Sequence, residues 1–600
     1  MSDQVVRIGG ASGFWGDAAR ATPQLLNVES LDYMVYDYLA EITMSIMARA
    51  RAKSDDKGYA TDFVSAAMQP HLGLIAERGI KVVSNAGGVN PAACANALRA
   101  AIEAQGLALT VACVQGDDLM AEREALAGKG IREMFSNETF PDPEKLLSIN
   151  AYLGAFPVAD ALAAGADIVV TGRCVDSAVT LGACIHAFGW GRNDLDQLAM
   201  GSLAGHILEC GPQATGGNFT DWEDVPGVAT IGYPIAEISA DGSFICTKPA
   251  GTGGLVSVGT VAEQMLYEIG DPQAYMLPDV VCDFSTAQLT QVGENRVQVA
   301  GATGRSAPDT LKVSATFADQ FRGGTYMSFY GADAARKAQA LGDAVFAAAR
   351  NALSGYGLAD FSETSIELLG TQSQFGAYAE QREHREVVMK IAAKHPEMAG
   401  IGILLKEAVG LGLATPPGLS GFAGSRPSPS PVVRLFSFTL PRDSLKVSID
   451  LGDRTLTSSD GGGTALDTHT LPRPDAPSTS GEATTTVPLI ALAFGRSGDK
   501  GDKANVGIIA RKPEYLPWIW QALDLDTVTA RFAHFLENTG AGSVERFLLP
   551  GSNAINFLLH DVLGGGGIAS IRNDPQGKGY AQILLACPIP VPDAIAKEVS

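Results

Sequence analysis

Residues 167–177 read DIVVTGRCVDS, and this stretch decides the fold. The apolar run at its start is too short for a helix and ends on a glycine, so a buried strand is expected over 167–171. Residues 172–177 form the turn, and 178–188 continue as an apolar helix. The same order recurs at 80–91, IKVVSNAGGVNP, where Pro91 suits the first position of a helix. It begins at 5–16, VVRIGGASGFWG, and a further strand is expected over 107–114. Other helices are expected over 31–52, 63–78 and 155–165; the first ends on Arg49, Arg51 and Lys53, which suit a helix C-terminus. Strands alternating with helices imply right-handed βαβ units and a mostly parallel sheet.

Further along, the strands shorten (231–239, 244–247 and 280–284), which suggests a subdomain over about 219–330. Residues 313–330 read as strand–turn–strand, 332–353 as a long helix and 365–369 as a strand. Residues 377–395 read as a charged helix stopped by Pro396, and 432–440 and 445–449 as strands. Residues 452–486 are rich in Gly, Ser, Thr and Pro and read as a flexible linker. It separates a main domain, 1–451, from a last domain, 487–600. There, strands are expected at 489–494, 506–510, 544–549 and 581–586, with helices at 516–523 and 553–562. The fold class is α/β: a large Gly-rich, mostly parallel-sheet region followed by a small α+β domain.

The chain has 600 residues, 46% of them apolar, and a formal net charge of −22. Such a surface repels phosphate backbones, so nucleic acid is not an expected partner, although a local cationic pocket can still take an anionic ligand. The eight cysteines are dispersed without a C-x-x-C pair, as in reduced cytosolic proteins. No basic-then-apolar leader opens the chain and no apolar run spans a bilayer, so a cytoplasmic protein without a membrane partner is expected.

Ligands of open α/β sheets bind beyond the carboxyl ends of the strands. In TGRCVDS, Arg173 can grip a carboxylate or phosphate. Asp176 is a candidate general base, or else the partner of Arg173. Cys174 has no histidine near it in sequence and reads as a packing residue. In GGASGFWGD, the amides around Gly10, Ser12 and Gly13 can cradle an anion, with Trp15 and Asp17 at the tip; the alternative is a tight turn alone. The spacing matches neither a dinucleotide fingerprint nor a P-loop. Asn85, Gly87, Gly88 and Asn90 of SNAGGVNP suit either an oxygen-rich ligand or turn and cap positions. Gly217 and Asn218 (GGNFTD) and Lys248 and Gly253 (KPAGTGG) supply two more polar loops. His206 and Cys210 are four apart, but with no third ligand in range no metal is expected. Residues 496–505, RSGDKGDKAN, read as a phosphate nest or as a solvated hairpin turn, and GGGG at 564–567 as a flexible element.

Four segments, IGGASGFWGD, SNAGGVNP, TGRCVDSA and RSGDKGDKANVGI, resemble the acyclic terpene utilisation (AtuA) family, and the resemblance spans nearly the whole chain. It implies a ferredoxin-like last domain. The family pattern there is RSGDKGN; Asp502 stands in the place of that Asn. The resemblance further implies a part in citronellol and geraniol breakdown through CoA thioesters, alongside carboxylase, hydratase and dehydrogenase partners. We therefore expect a homo-oligomeric catabolic enzyme acting on a branched or carboxylated acyl-CoA, at a hydratase or lyase step. No cofactor is expected besides the CoA moiety of the substrate. The alternative is a non-catalytic assembly or scaffold subunit for the pathway's acyl-CoA carboxylase. A hydrolase built on Ser177 ranks last, because no G-x-S-x-G elbow is present. An enzyme should bring the polar loops to one cleft; a scaffold has no reason to.

Overall fold

The computed structural model describes residues 4–599 except 381, 422, 423, 425 and 460. Five parallel strands form the centre of an eleven-stranded sheet: Val5–Gly10, Tyr33–Tyr36, Lys81–Ser84, Ile168–Thr171 and Val111–Gln115, in that spatial order. Helices cover both faces, so the central strands are apolar throughout, as a parallel sheet buried on two sides requires. The flanks depart from the mostly parallel expectation. Ile235–Ser239, Phe244–Thr247, Arg296–Ala300 and Gln288–Gly293 extend one edge antiparallel. Val447–Asp450 and Thr455–Ser458 extend the other. Hairpins need only short turns, so edges grow this way without crossover helices. Two boundaries move with them. The strands of residues 219–330 are shared among this sheet, a small three-stranded sheet of Tyr275–Met276, Val281–Asp283 and Thr303–Arg305, and the next large sheet, so they do not form a unit of their own. The expected linker gives its first residues to the sheet through Thr455–Ser458.

A second sheet is organised by one 21-residue strand, Thr310–Tyr330, where a strand–turn–strand was expected. Gly323 and Gly324 look like a turn, but they pair with Ala393 and Ala392. A Cβ on Gly323 would lie 2.4 Å from Ile401, so the glycine lets the helix Met398–Gly410 approach the strand. Residues 377–395 are not a helix either. Glu386–His395 is a strand whose alternate residues Val387, Met389, Ile391 and Ala393 are buried, a period of two inside a charged stretch. Leu146–Ala151 and Ser430–Pro441 complete this layer against the long strand.

Two further corrections fall in the main domain. Residues 31–52 are a strand, Tyr33–Tyr36, then a loop, then the helix Glu41–Arg51. Residues 63–78 divide into the π-helical turn Phe63–Met68 and the helix Leu72–Arg78, with Pro70 between them.

The last domain is a four-stranded antiparallel sheet ordered Ala493–Lys500, Lys503–Ala510, Ala554–Leu559, Val544–Leu549. Helices Leu516–Ala522, Leu525–Phe532 and Tyr580–Leu585 cover one face, packing on Val506, Ile508, Ile555 and Phe557. From the other face, Ile509, Leu549 and Ala554 join the core of the main domain. Burial on both faces explains why 553–562 reads as a helix although Ala554–Leu559 is a strand. The expected strand at 581–586 is the helix Tyr580–Leu585, and 489–494 opens with a helical turn, Leu489–Leu492, before its strand. Among the described residues, no helix is long and apolar enough to cross a membrane.

Candidate active site

Where the last domain docks against the carboxyl ends of the central strands, a cleft of about 380 Å³ remains, lined by Glu41, Tyr152, Arg173, Asp176, Lys312, Asp499 and Lys500 among others. That volume lies within the range of small-molecule sites, about 300–1,000 Å³.

The main-domain wall is built on TGRCVDS. Asp117, just past the strand Val111–Gln115, accepts hydrogen bonds from the Arg173 amide and from Asn150 Nδ2, both at 2.8 Å. Burial raises its pKa to about 6 despite these donors. A Cβ on Gly172 would lie 2.3 Å from the Asp117 carboxylate, so glycine is what allows the loop to sit on it. Arg173 Nη1 donates to the carbonyls of Leu39 (3.1 Å) and Cys174 (3.0 Å) and to Asp176 Oδ1 (2.6 Å), and its guanidinium lies 4.3 Å over the Tyr152 ring. Arg173 is 5% exposed and Asp176 38%. The arginine is therefore held by the protein and the aspartate faces the cleft. Burial pushes the Cys174 thiol up to about 12, so it stays inert at neutral pH.

Sequence reasoning missed two carboxylates on this wall, Asp37 and Glu41, because both fall inside the stretch read as one helix. Asn85 Nδ2 donates to Asp37 Oδ1, Asn85 Oδ1 accepts from the Tyr38 amide at 2.7 Å, and Ser12 Oγ donates to the Asp37 carbonyl at 2.9 Å. Burial, reinforced by the charges of Asp176 and Glu209, raises the Asp37 pKa well above the usual carboxylate range. Glu41 is the opposite case. Burial works against its charge, but Lys312 and Arg173 outweigh it and hold the carboxyl at about 2, while Tyr152 donates its hydroxyl to Glu41 Oε1 at 2.8 Å. Behind these groups, His206 Nδ1 lies 2.9 Å from Glu209 Oε1 and Nε2 donates to the Met265 carbonyl at 3.2 Å.

The opposite wall comes from the last domain. RSGDKGDKAN is a hairpin whose two-residue turn places Gly501 at φ +69°. Its tip enters the cleft instead of standing in solvent. Lys578 Nζ lies 2.9 Å from Glu268 Oε1 and 3.1 Å from Asp499 Oδ1, and also meets Tyr267. Burial, then the Glu268 charge, raises the Asp499 pKa to about 6. Lys500 reaches solvent through the cavity, yet protein crowds its ammonium. Desolvation there opposes the charge, while Tyr275, Glu268, Asp176 and Glu209 outweigh it and raise the pKa. Asp502 accepts at Oδ1 from the amides of Leu563, Gly565 and Gly566 at 2.9–3.1 Å, so it organises the GGGG loop.

Not every singled-out residue reaches the cleft. Ser12 and Asn85 act one layer behind it, through Asp37. Asp17 accepts from the Gly13 amide at 3.1 Å and so secures its own turn, while Trp15 Nε1 donates to Asp62 at 2.6 Å and ties that turn to the segment before Phe63–Met68. Gly10, Gly13 and Gly87 permit close packing: a Cβ would meet Leu208 O at 2.8 Å, Cys210 C at 2.4 Å and Thr171 O at 2.4 Å respectively. Gly88 takes φ +53°, and Asn90 caps the helix Pro91–Ala104. Gly217 and Asn218 (φ +59°) shape a loop that docks the last domain, where Thr220 meets Gly495 and Asp221 meets Arg511. Lys248 Nζ donates to Thr252 O at 2.8 Å and, with Gly253, belongs to a separate surface loop. Of the five main-domain loops, only TGRCVDS lines the cleft, together with the hairpin of the last domain; GGASGFWGD and SNAGGVNP lie a layer behind it, and the other two loops lie elsewhere.

Among the carboxylates that line the cleft, Asp176 is partly exposed and fixed by a buried arginine, and a lysine from another domain shares the cleft with it. Proton transfer next to a developing negative charge is the chemistry such a pair can perform. No curated protein and no solved structure matches the chain. It does match the acyclic terpene utilisation family protein AtuA over residues 6–451, and the AtuA ferredoxin-like domain over residues 487–590. The chain belongs to the AtuA family, which places it in acyclic terpene utilisation.

Proposed function

We propose that this AtuA-family chain is an enzyme that adds or removes water on a branched or carboxylated acyl-CoA of acyclic terpenoid breakdown. The observation that carries the reading is Asp176: partly exposed in a cleft between domains, with its position set by a buried arginine that lies over the Tyr152 ring. In the dehydration direction, Asp176 takes the proton from the carbon next to the thioester carbonyl. The C–H electron pair moves onto the thioester oxygen. When it returns, the β-carbon–oxygen bond breaks, and the departing hydroxide takes the proton from Asp176 and leaves as water. Hydration is the reverse, and no cofactor enters the balance.

The test is calorimetric binding of geranyl-CoA, its carboxylated and hydrated derivatives, and free CoA, with mass analysis of each mixture. We expect one thioester to bind and to change mass by one water. Asp176→Asn should lower kcat by about 10²–10⁴-fold with little change in Kd. A chain that binds none of the thioesters, or whose product differs by another mass, would refute the assignment and favour an assembly role with the carboxylase.

A further inference from the structure

We propose that Lys500, carried by the ferredoxin-like domain, is the residue that receives the negative charge on the thioester oxygen, so that this domain completes the active site of its own chain. The proposal rests on the reading of the cleft as an acyl-CoA site and adds to it a second catalytic residue from a different domain.

The cations around the cleft are not equivalent. Arg173 commits Nη1 to three acceptors, including Asp176, and lies over the Tyr152 ring, with only 5% of its side chain exposed. Arg434 Nη2 holds both oxygens of Glu138 at 3.0 Å. Lys312 stands 3.9 Å from Glu41, and Lys578 bridges Glu268 and Asp499. Lys503 makes no ion pair within 4.0 Å among the described residues and sits 4.3 Å over the exposed Phe135 ring; Lys500 likewise makes none, and its ammonium lies 5.2 Å from the centre of the Tyr275 ring, among the buried groups of the main domain. The hairpin that carries it is firmly seated. A Cβ on Gly498 would lie 2.6 Å from the Tyr267 ring, so the hairpin is pressed onto the main domain. Glu268, opposite it, is held at φ +58° with its amide donating to Asn505 Oδ1 at 2.8 Å. Non-glycine residues keep such a conformation only where the surroundings enforce it. A cation on a firmly seated hairpin, without a carboxylate partner and in the same cleft as a base, is what an enolate-forming step needs: the α-proton goes to Asp176, the electron pair to the thioester oxygen, and that oxygen to Lys500.

The competing account is that Lys500 only offsets the acidic groups around it. The two accounts separate on a thioether analogue of the substrate, which lacks the carbonyl oxygen. The full-length chain is compared with Lys500→Met and Lys500→Arg, using the thioester that binds and its thioether. The wild type should prefer the thioester. Lys500→Met should lose about 100-fold or more in kcat, bind the thioether as before, and no longer discriminate between the two ligands; Lys500→Arg should recover part of both properties. An unchanged kcat in Lys500→Met overturns the proposal, and so does a lost kcat with ligand preference intact, the signature of charge offset alone. If Lys500→Met fails to bind even the thioether, Lys500→Arg decides alone: wild-type rates with wild-type preference support the role of the charge, and a lost preference overturns it. A wild-type chain that binds no thioester refutes the acyl-CoA reading itself, whereas an active wild type with an equally active Lys500→Met refutes only the role of Lys500.

Discussion

The two walls of the cleft are held in different ways. On the main-domain wall the polar groups are fixed locally, by neighbours on adjoining strands of one parallel sheet: Asn85 holds Asp37, Asp117 holds the Arg173 amide, and Arg173 holds Asp176. On the other wall, Lys500 sits on a hairpin whose place depends on docking between domains. The centre of that docking surface is a pair of fully buried amides. Asn505 Nδ2 donates to Asn556 Oδ1 at 3.0 Å, and Asn556 Nδ2 donates to the carbonyls of Ile269 (3.1 Å) and Gly270 (2.7 Å). One wall is therefore as stable as its sheet, and the other only as stable as the interface.

The strongest way to break this difference is Asn556→Leu. It leaves two buried carbonyls and the Asn505 amide short of a partner, at about 1–3 kcal/mol for each group left unsatisfied. We expect a loss of about 3–5 kcal/mol in urea unfolding, with undocking of the last domain ahead of the main sheet and loss of any function that needs Lys500. A single transition at the wild-type midpoint would mean that the amide pair does not hold the wall.

How far each wall was legible follows from where its contacts lie in sequence. DIVVTGRCVDS and IKVVSNAGGVNP could be placed because a short apolar run and its turn are local patterns. Asp37 and Glu41 were hidden because Tyr33–Tyr36 is buried on both sides and so merges, in sequence, with the apolar helix that follows. Asp117 carries no motif; its role appears only when Gly172 lies against it. The hairpin at 496–505 was visible as a turn. Its destination was not, since Lys500 meets groups that precede it by more than 200 residues. Glycine loops overstated the ligand surface: at 216–221 they serve docking, and at 248–254 only the turn. The strands Glu386–His395 and Ala554–Leu559 were misread for opposite reasons, the first masked by charge and the second by burial on both faces.

A smaller effect sharpens the same comparison through pH. Glu263, buried in the docking surface, accepts from the Thr220 amide (3.1 Å) and hydroxyl (2.6 Å). Burial raises its pKa to about 7, against those two donors and Arg496. The folded pKa lies above the unfolded one, so the folded state binds more protons between about pH 4.5 and 7. The contribution to stability is full below that window and lost as pH rises through 7. Glu263→Gln keeps the acceptor and cannot ionise. It should match the wild type in thermal unfolding near pH 4.5 and exceed it at pH 8.5 by at most about 3 kcal/mol. Asp117 and Asp499, raised to about 6, keep their own slope in both proteins. Parallel curves for the two proteins would show that Glu263 ionises freely and that the interface has no such pH dependence.

The smallest effect belongs to the rim of the interface, and it separates charge from packing there. Arg511 grips Asp221 with both terminal nitrogens at 2.6 Å, donates Nε to the Ile490 carbonyl at 3.1 Å, and stacks 4.3 Å over the Phe494 ring. Both charged side chains are about a quarter exposed, so water screens the pair and it contributes only about 0.2–1 kcal/mol. Stacking on Phe494 adds about 0.5–1 kcal/mol, and this part does not depend on salt. We expect Arg511→Ala to lower stability by about 1 kcal/mol, with roughly half of that loss vanishing in molar salt, and to leave ligand binding in the cleft unchanged. A loss as large as that of Asn556→Leu would place the hold on the second wall in its exposed ion pairs and not in its buried amides, and the contrast between the walls would then be one of screening and not of burial.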